Sequence, residues 1–411
     1  MVDLGSYYSL ALIAITIGVI GVLDILTDVV AIAVAGISAV ELGLLNSIAY
    51  VAYLLTLMFA QKYAEQGVIR KQLVLVLASL ITYTGLMLMF INTGSFMLLL
   101  LSYMLCPAAL AYARLATLAY IHEGFESHSW TKALNARFVL VSLSEGFFLW
   151  IASMTLRRDV YYTTVLLSTT AIAACAASFV FVKEPTLKIE RHLFKVESTI
   201  SYLESTISKF LEYTSLSESS LYYNVKFAKL YKLPKLSVST ILLSLIGFRL
   251  GNTITLTPLP AILSKTQGIT LSDVLVVYGL SRVLAIAGIV GLASGVLRML
   301  FYMLTPLAWL ALAVSSNATL AGLLLGFILY VNSDFDVVLY SIFIENTRGR
   351  GTSAYIILGE IASFVGAFLS GYVYKAFDLA TALIALLCRL PGLLILLKAY
   401  KAKPYSSRLD L

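Results

Sequence analysis

Apolar runs of about twenty residues follow one another along most of the chain, separated by short polar breaks except at the connection 183–236. About twenty apolar residues in helix cross the ~30 Å hydrocarbon core of a bilayer. Inside that core each segment must satisfy its own backbone N–H and C=O groups, which leaves helices as the spanning structure. Measured against this length, twelve spans are predicted, at 9–35, 39–60, 72–92, 95–121, 132–155, 161–182, 237–263, 271–293, 299–315, 318–344, 352–374 and 379–398. Composition excludes a soluble domain: 60% of the 411 residues are hydrophobic and 12% charged, against about 25% charged in soluble proteins. The chain is predicted to be an all-α integral membrane protein.

The breaks carry a repeat. Ser38-Ala39-Val40-Glu41 and Thr270-Leu271-Ser272-Asp273 are both capping boxes, each following a Gly-Ile pair, Gly36-Ile37 and Gly268-Ile269. In such a box the hydroxyl accepts from the backbone N–H three residues on, while the acid reaches back. The two stretches lie 232 residues apart and open spans two and eight. Two halves of six helices follow, and the boxes account for Glu41 and Asp273 as capping groups.

The net charge of +7 raises the question of nucleic acid, which basic chains bind through phosphate. Position answers it. Of 29 Lys and Arg, twenty fall on one side of the spans or in the connection 183–236, four on the other side and five inside spans. That asymmetry is the positive-inside rule, so both termini and the connection are expected in the cytoplasm and no nucleic-acid partner is expected. The three Cys, Cys106, Cys175 and Cys388, lie in apolar segments and read as small hydrophobes. His122, His128 and His192 fall in predicted loops, and no metal spacing, phosphate loop or catalytic triad is present, so no metal or cofactor is expected. Within the connection, Ile200, Leu203, Ile207, Phe210 and Leu211 recur at helical spacing among Glu, Ser and Lys, as in an amphipathic helix lying on membrane lipid.

After span two, residues 60–71 contain Glu65, Arg70 and Lys71. This loop resembles the Gly-x3-Asp-Arg-x-Gly-Arg-Arg/Lys loop of the major facilitator superfamily, with Glu65 in the acidic place and Arg70-Lys71 as the basic pair. Ala60 stands near the first Gly, Gln66 replaces the first base, and one residue is extra. Lys183-Glu184-Pro185 at the end of span six is also similar to that family. Span five lacks the Gly-Pro-Gly signature of its drug exporters. The resemblance covers essentially the whole chain as architecture. It implies two pseudo-symmetric six-helix lobes, 1–182 and 237–411, around a central cavity, joined by the linker 183–236. Spans one, four, seven and ten would line the cavity, two, five, eight and eleven would join the lobes, and the rest would brace the outside. The gating loop would hold Glu65, Arg70 and Lys71.

Charge in hydrocarbon is expensive, ~2.5–3.5 kcal/mol at the centre by insertion scales, and marks function by default. Eleven such groups remain once the caps are set aside: Asp24, Asp28, Arg114, Arg137, Glu145, Arg249, Arg282, Asp334, Asp336, Glu360 and Arg389. On the helix roles that the resemblance supplies, ten fall on cavity or lobe-contact helices, and Arg389 on span twelve is the exception. Asp24 and Asp28 are one turn apart on one helix face. Two close carboxylates cannot both ionise easily in a low dielectric, so the pair is suited to taking up and releasing a proton. Arg114 stays charged and can hold one acid ionised until substrate or proton displaces it. This set resembles the arrangement in proton-coupled antiporters of the superfamily.

Arg249 is followed by Asn252, Thr253, Thr255, Thr257, Pro258 and Pro260, a polar run expected to unwind locally and face the cavity. It can clamp an anionic substrate group or pair with Asp334 or Asp336, which lie about 200° apart around their helix. Tyr330 and Asn332 precede them as orienting groups. Glu145 and Arg282, both at mid-membrane, are expected to latch the two lobes. Gly359, Ser363, Ala367 and Gly371 form a stripe for close helix contact. The reading is a monomeric secondary transporter in the cytoplasmic membrane, moving a small organic solute, with proton coupling and no enzymatic activity. A lipid-processing membrane enzyme is the alternative, and its acids would be expected at surface loops instead of deep in spans.

Overall fold

A computed structural model of the chain describes residues 4–65, 69–125, 130–182, 237–287, 295–347 and 352–401. The first half forms α1 (Leu4–Ala35), α2 (Ala39–Glu65), α3 (Ile69–Thr93), α4 (Phe96–Gly124), α5 (Trp130–Leu156) and α6 (Val160–Phe181). The second forms α7 (Val238–Leu256), α8 (Leu271–Ala285), α9 (Gly295–Val314), α10 (Ala318–Thr347), α11 (Thr352–Phe377) and α12 (Thr381–Lys401). Among the described residues, nine helical stretches are long and apolar enough to cross a membrane, one of them, Leu358–Ile395, running through the α11–α12 junction. The predicted amphipathic helix of the connection 183–236 lies outside the described residues.

The breaks have the chemistry read from the sequence. Gly36 (φ 62°) and Gly268 (φ 68°) take the left-handed conformation that ends the preceding segment. The Ser38 backbone N–H and hydroxyl both donate to Glu41 Oε2 at 2.8 Å. Thr270 Oγ1 accepts from the Asp273 N–H at 3.2 Å and donates to its carboxylate at 2.7 Å. Pro258 and Pro260 act at the end of α7 and not in its middle. The helix stops at Leu256, makes one turn at Leu259–Ala261, and widens into a π-helix over Ile262–Thr266. A proline has no N–H to continue the ladder, which places the irregular backbone there.

The halves pack alike. Helix α1 lies against α4, α5 and α6, and its counterpart α7 against α10, α11 and α12. The pairs α2–α4, α3–α4 and α3–α6 recur as α8–α10, α9–α10 and α9–α12. Across the halves, α2 meets α11 and α5 meets α8, the same contact made twice by pseudo-symmetry. The core runs along α1, where Leu10, Ile13, Ile17, Ile20, Leu23 and Leu26 are all buried. Met58, Phe59, Trp150, Phe181, Leu387 and Leu394 are exposed, as lipid-facing side chains must be. At the α5–α8 contact a Cβ on Gly279 would stand 3.2 Å from the Gly146 carbonyl oxygen, and the reverse distance is also 3.2 Å. Only small residues let two backbones approach this closely.

Candidate functional site

The helix-one acids are held differently from each other. The Asp28 carboxylate accepts from the Tyr103 hydroxyl of α4 at 2.6 Å and from Asn46 Nδ2 of α2 at 3.1 Å, both on Oδ1. Asp24, half-buried one turn earlier, makes no hydrogen bond or ion pair with a described residue. It lies instead within electrostatic reach of Arg114, Arg282 and Glu145. Arg114 Nη1 donates to the Tyr53 hydroxyl of α2 at 3.1 Å and its guanidinium lies over that ring at 5.7 Å. So Arg114 acts on Asp24 through its field and not through a direct bond, because Tyr53 engages the guanidinium.

Helix α8 comes to the acids from the other half. The Arg282 charge acts on Asp24 through its field, and Asp28 acts likewise on Tyr278, one turn before Arg282. Since α8 begins at the end where α1 finishes, the two helices run antiparallel. Arg282 Nε also stands 3.0 Å from Glu145 Oε2 of α5, joining the halves. Its N–H is not aimed along that line, so the contact is an ion pair without hydrogen-bond geometry. Arg282 therefore serves two carboxylates, one by contact and one by field.

In the second half, Arg249 Nη2 and Asp336 Oδ2 pair at 2.7 Å across α7 and α10. Asp334, facing elsewhere on α10, is buried. Asn252 and Asn332, predicted substrate groups, both turn their amide oxygens to Arg389 of α12. Arg389 Nη2 donates to Asn332 Oδ1 at 3.1 Å and to Asn252 Oδ1. Tyr330 is buried on α10, its ring 6.3 Å from that of Phe301. Arg389 is the group that the reading by helix role set aside as an outer-brace residue. The sequence held two amides, Asn252 and Asn332, in apolar spans with Arg389 as a third polar group, but no sign that they converge.

Of the gating loop, residues 66–68 and the Glu65 side chain lie outside what is described, and Arg70 and Lys71 stand exposed at the start of α3. At the opposite ends of the helices, contacts that sequence reasoning missed join the halves. Lys265 Nζ donates to the carbonyls of Gly36 and Ile37, each at 2.7 Å, where α1 ends. Arg157, after α5, pairs with Asp273 of α8 at 2.8 Å. Asp273 is thus a cap and a partner at once. Lone Lys and Arg at loop ends carry no periodic signal, which is why these contacts were not legible.

No family model matches the chain, and no curated protein sequence does. Solved structures match over nearly the full length. A bacterial homologue of the human lysosomal transporter Spinster, inward-facing and unoccupied, aligns with 97% of this chain and 98% of its own at 12% identity and a TM-score of 0.66. A D-xylose–proton symporter aligns over the same shares at 12% identity and a TM-score of 0.63. The chain therefore has the all-α, multi-span membrane fold of these two transporters.

Proposed function

We propose that this chain is a secondary active transporter that moves a small organic solute across the cytoplasmic membrane by alternating access, coupled to protons. The observation that carries the reading is Arg282, 3.0 Å from Glu145 of the other half, with its charge acting on Asp24 through the field. An ionised Asp24 draws Arg282 away from Glu145, and a proton on Asp24 removes that pull and leaves the latch to Glu145. Proton occupancy and the contact between the lobes 1–182 and 237–411 are thereby coupled through one guanidinium. Asp28, anchored by Tyr103 and Asn46, keeps the pair in register and is the second proton acceptor. Arg249, Asp336 and the Arg389 cluster form the solute-facing side of the second lobe. The distribution of Lys and Arg supports a cytoplasmic side for both termini and the linker 183–236. The Gly36 turn is then external, and the Lys265 and Arg157 contacts close the outer face.

Purified full-length protein in liposomes tests this with counterflow beside pH-gradient-driven uptake across a panel of sugars, carboxylates and organic cations. Transport of one class driven by the gradient is the expected result. No flux of any solute, together with turnover of a lipid-linked substrate, would overturn the reading in favour of an enzyme.

A further inference from the structure

We propose that Arg389 is the anchor of a binding site for an organic monocarboxylate within the second half. The inference deepens the transporter reading and rests on it for the meaning of the site, not for its existence. Arg389 is 2% exposed, and a guanidinium does not give up its charge in a protein. Among the described residues all its acceptors are neutral: the amide oxygens of Asn252 and Asn332 and the face of Phe248, 5.8 Å from its carbon. No carboxylate pairs with it among the described residues, although Asp334 and Asp336 share a helix with Asn332. A buried cation is normally paired, because desolvation without a counter-ion is costly.

The groups left over define the ligand. Arg389 Nε and Nη1 and the Asn332 Nδ2 are buried with no hydrogen-bond partner among the described residues. All three are donors. The nearby Tyr302 hydroxyl is already spent on the Arg389 carbonyl at 3.2 Å. A ligand for this place must bring lone pairs and negative charge, and no proton to donate. The surroundings limit its size of charge: Phe335 stacks on Tyr302 at 4.7 Å and on Phe248 at 4.6 Å, and Phe248 faces the guanidinium, an aromatic wall beside one cation. One guanidinium in aromatic walls suits a single carboxylate on an apolar body better than a phosphate dianion, which needs more donors. Asn252 is the one partly exposed member of the cluster, so it is the amide that yields when the carboxylate seats.

The test uses the purified full-length protein in detergent, with sodium benzoate as probe and benzamide and sodium chloride at equal ionic strength as controls. A ligand bound only by the native state raises the melting temperature with its concentration. Benzoate is expected to raise it by a few degrees and the controls are not. Arg389→Gln should lose the shift. Because that variant removes a buried group and can fail to fold, Asn332→Asp is the second arm. It supplies an internal carboxylate to the guanidinium, so it should raise the basal melting temperature and abolish the response to benzoate. No benzoate shift in the wild type, an equal shift with chloride, or a shift retained in Asn332→Asp would each overturn the site. Uptake of radiolabelled benzoate into liposomes separates the two readings. Binding without flux of benzoate or of any solute in the panel would remove transport and leave the site, and flux of another solute with no benzoate shift would remove the site and leave transport.

Discussion

Asp24 and Asp28 are the same residue type one turn apart, and their surroundings divide their work. Asp28 has two hydrogen-bond donors from α2 and α4, whereas Asp24 has only fields around it. A hydrogen bond to a charged group contributes ~1.5–3 kcal/mol, so Tyr103→Phe should lower thermal stability while leaving solute exchange. Asp24→Asn should leave stability nearly unchanged and abolish gradient-driven accumulation, with counterflow retained. If Asp24→Asn keeps full accumulation in liposomes, the coupling site is elsewhere, and Asp28 and Glu360 come next. Reversing the latch tests the other arm. Glu145→Arg and Arg282→Glu should each stop transport, and the double reversal should restore it, because the ion pair depends on sign across the gap and not on which half carries it. At this scale the sequence announced every buried charge but not its partner. Glu145 and Arg282 were expected together and stand together, and Arg249 found Asp336. Arg114 was expected on an acid and lies on Tyr53, since a tyrosine in an apolar run gives no sign that it will receive a guanidinium.

Helices fix how close the halves come. The stripe read on α11 is divided between two neighbours: Ala367 and Gly371 abut α2 at Gly43 and Val40, while a Cβ on Gly359 would stand 3.6–3.8 Å from Leu245 and Arg249 of α7. The four-residue spacing shows that a helix has a small face, but not that the face serves two partners, because the twist of one helix past another is set by packing and not by either sequence alone. The α5–α8 contact gives the sharper prediction. Gly279→Leu forces its side chain into the Gly146 backbone, 3.2 Å from where the Cβ begins, and overpacking of this kind costs ~1–3 kcal/mol. Transport should fall and the melting temperature with it. Gly85 is the control, since a Cβ there meets nothing within 4 Å. Gly85→Leu should keep both. If Gly279→Leu is as active and as stable as Gly85→Leu, the close approach of α5 and α8 plays no part in the cycle.

At the scale of the molecule, the element order and the repeat were legible because they follow from bilayer thickness and from two capping boxes with one spacing. The closure at the Gly36 end was not, since it joins residues such as Arg157 and Asp273 that meet only when the halves are assembled. That closure supports a population argument. An exposed ion pair is worth ~0–1 kcal/mol, and a cation at the C-terminal end of a helix ~0.3–1 kcal/mol, so neither Lys265 nor Arg157 holds the halves shut alone. Removing one by about 1 kcal/mol should raise the population open at that face about five-fold, as 1.4 kcal/mol is tenfold. The change is read on Tyr278→Cys, in a background without Cys106, Cys175 and Cys388, with a membrane-impermeant thiol reagent added from the Gly36 side. Lys265→Met should raise the labelling rate about five-fold with little change in melting temperature. Arg157→Gln is the companion variant, preferred over Asp273→Asn because Asp273 also closes the α8 capping box and its loss would confound gate with helix. The two sites touch different groups, so their effects should multiply in the double variant. Labelling rates unchanged in both single variants would mean that the face is closed by the packing of α2 on α11 and α5 on α8, and that the polar contacts at its rim only follow.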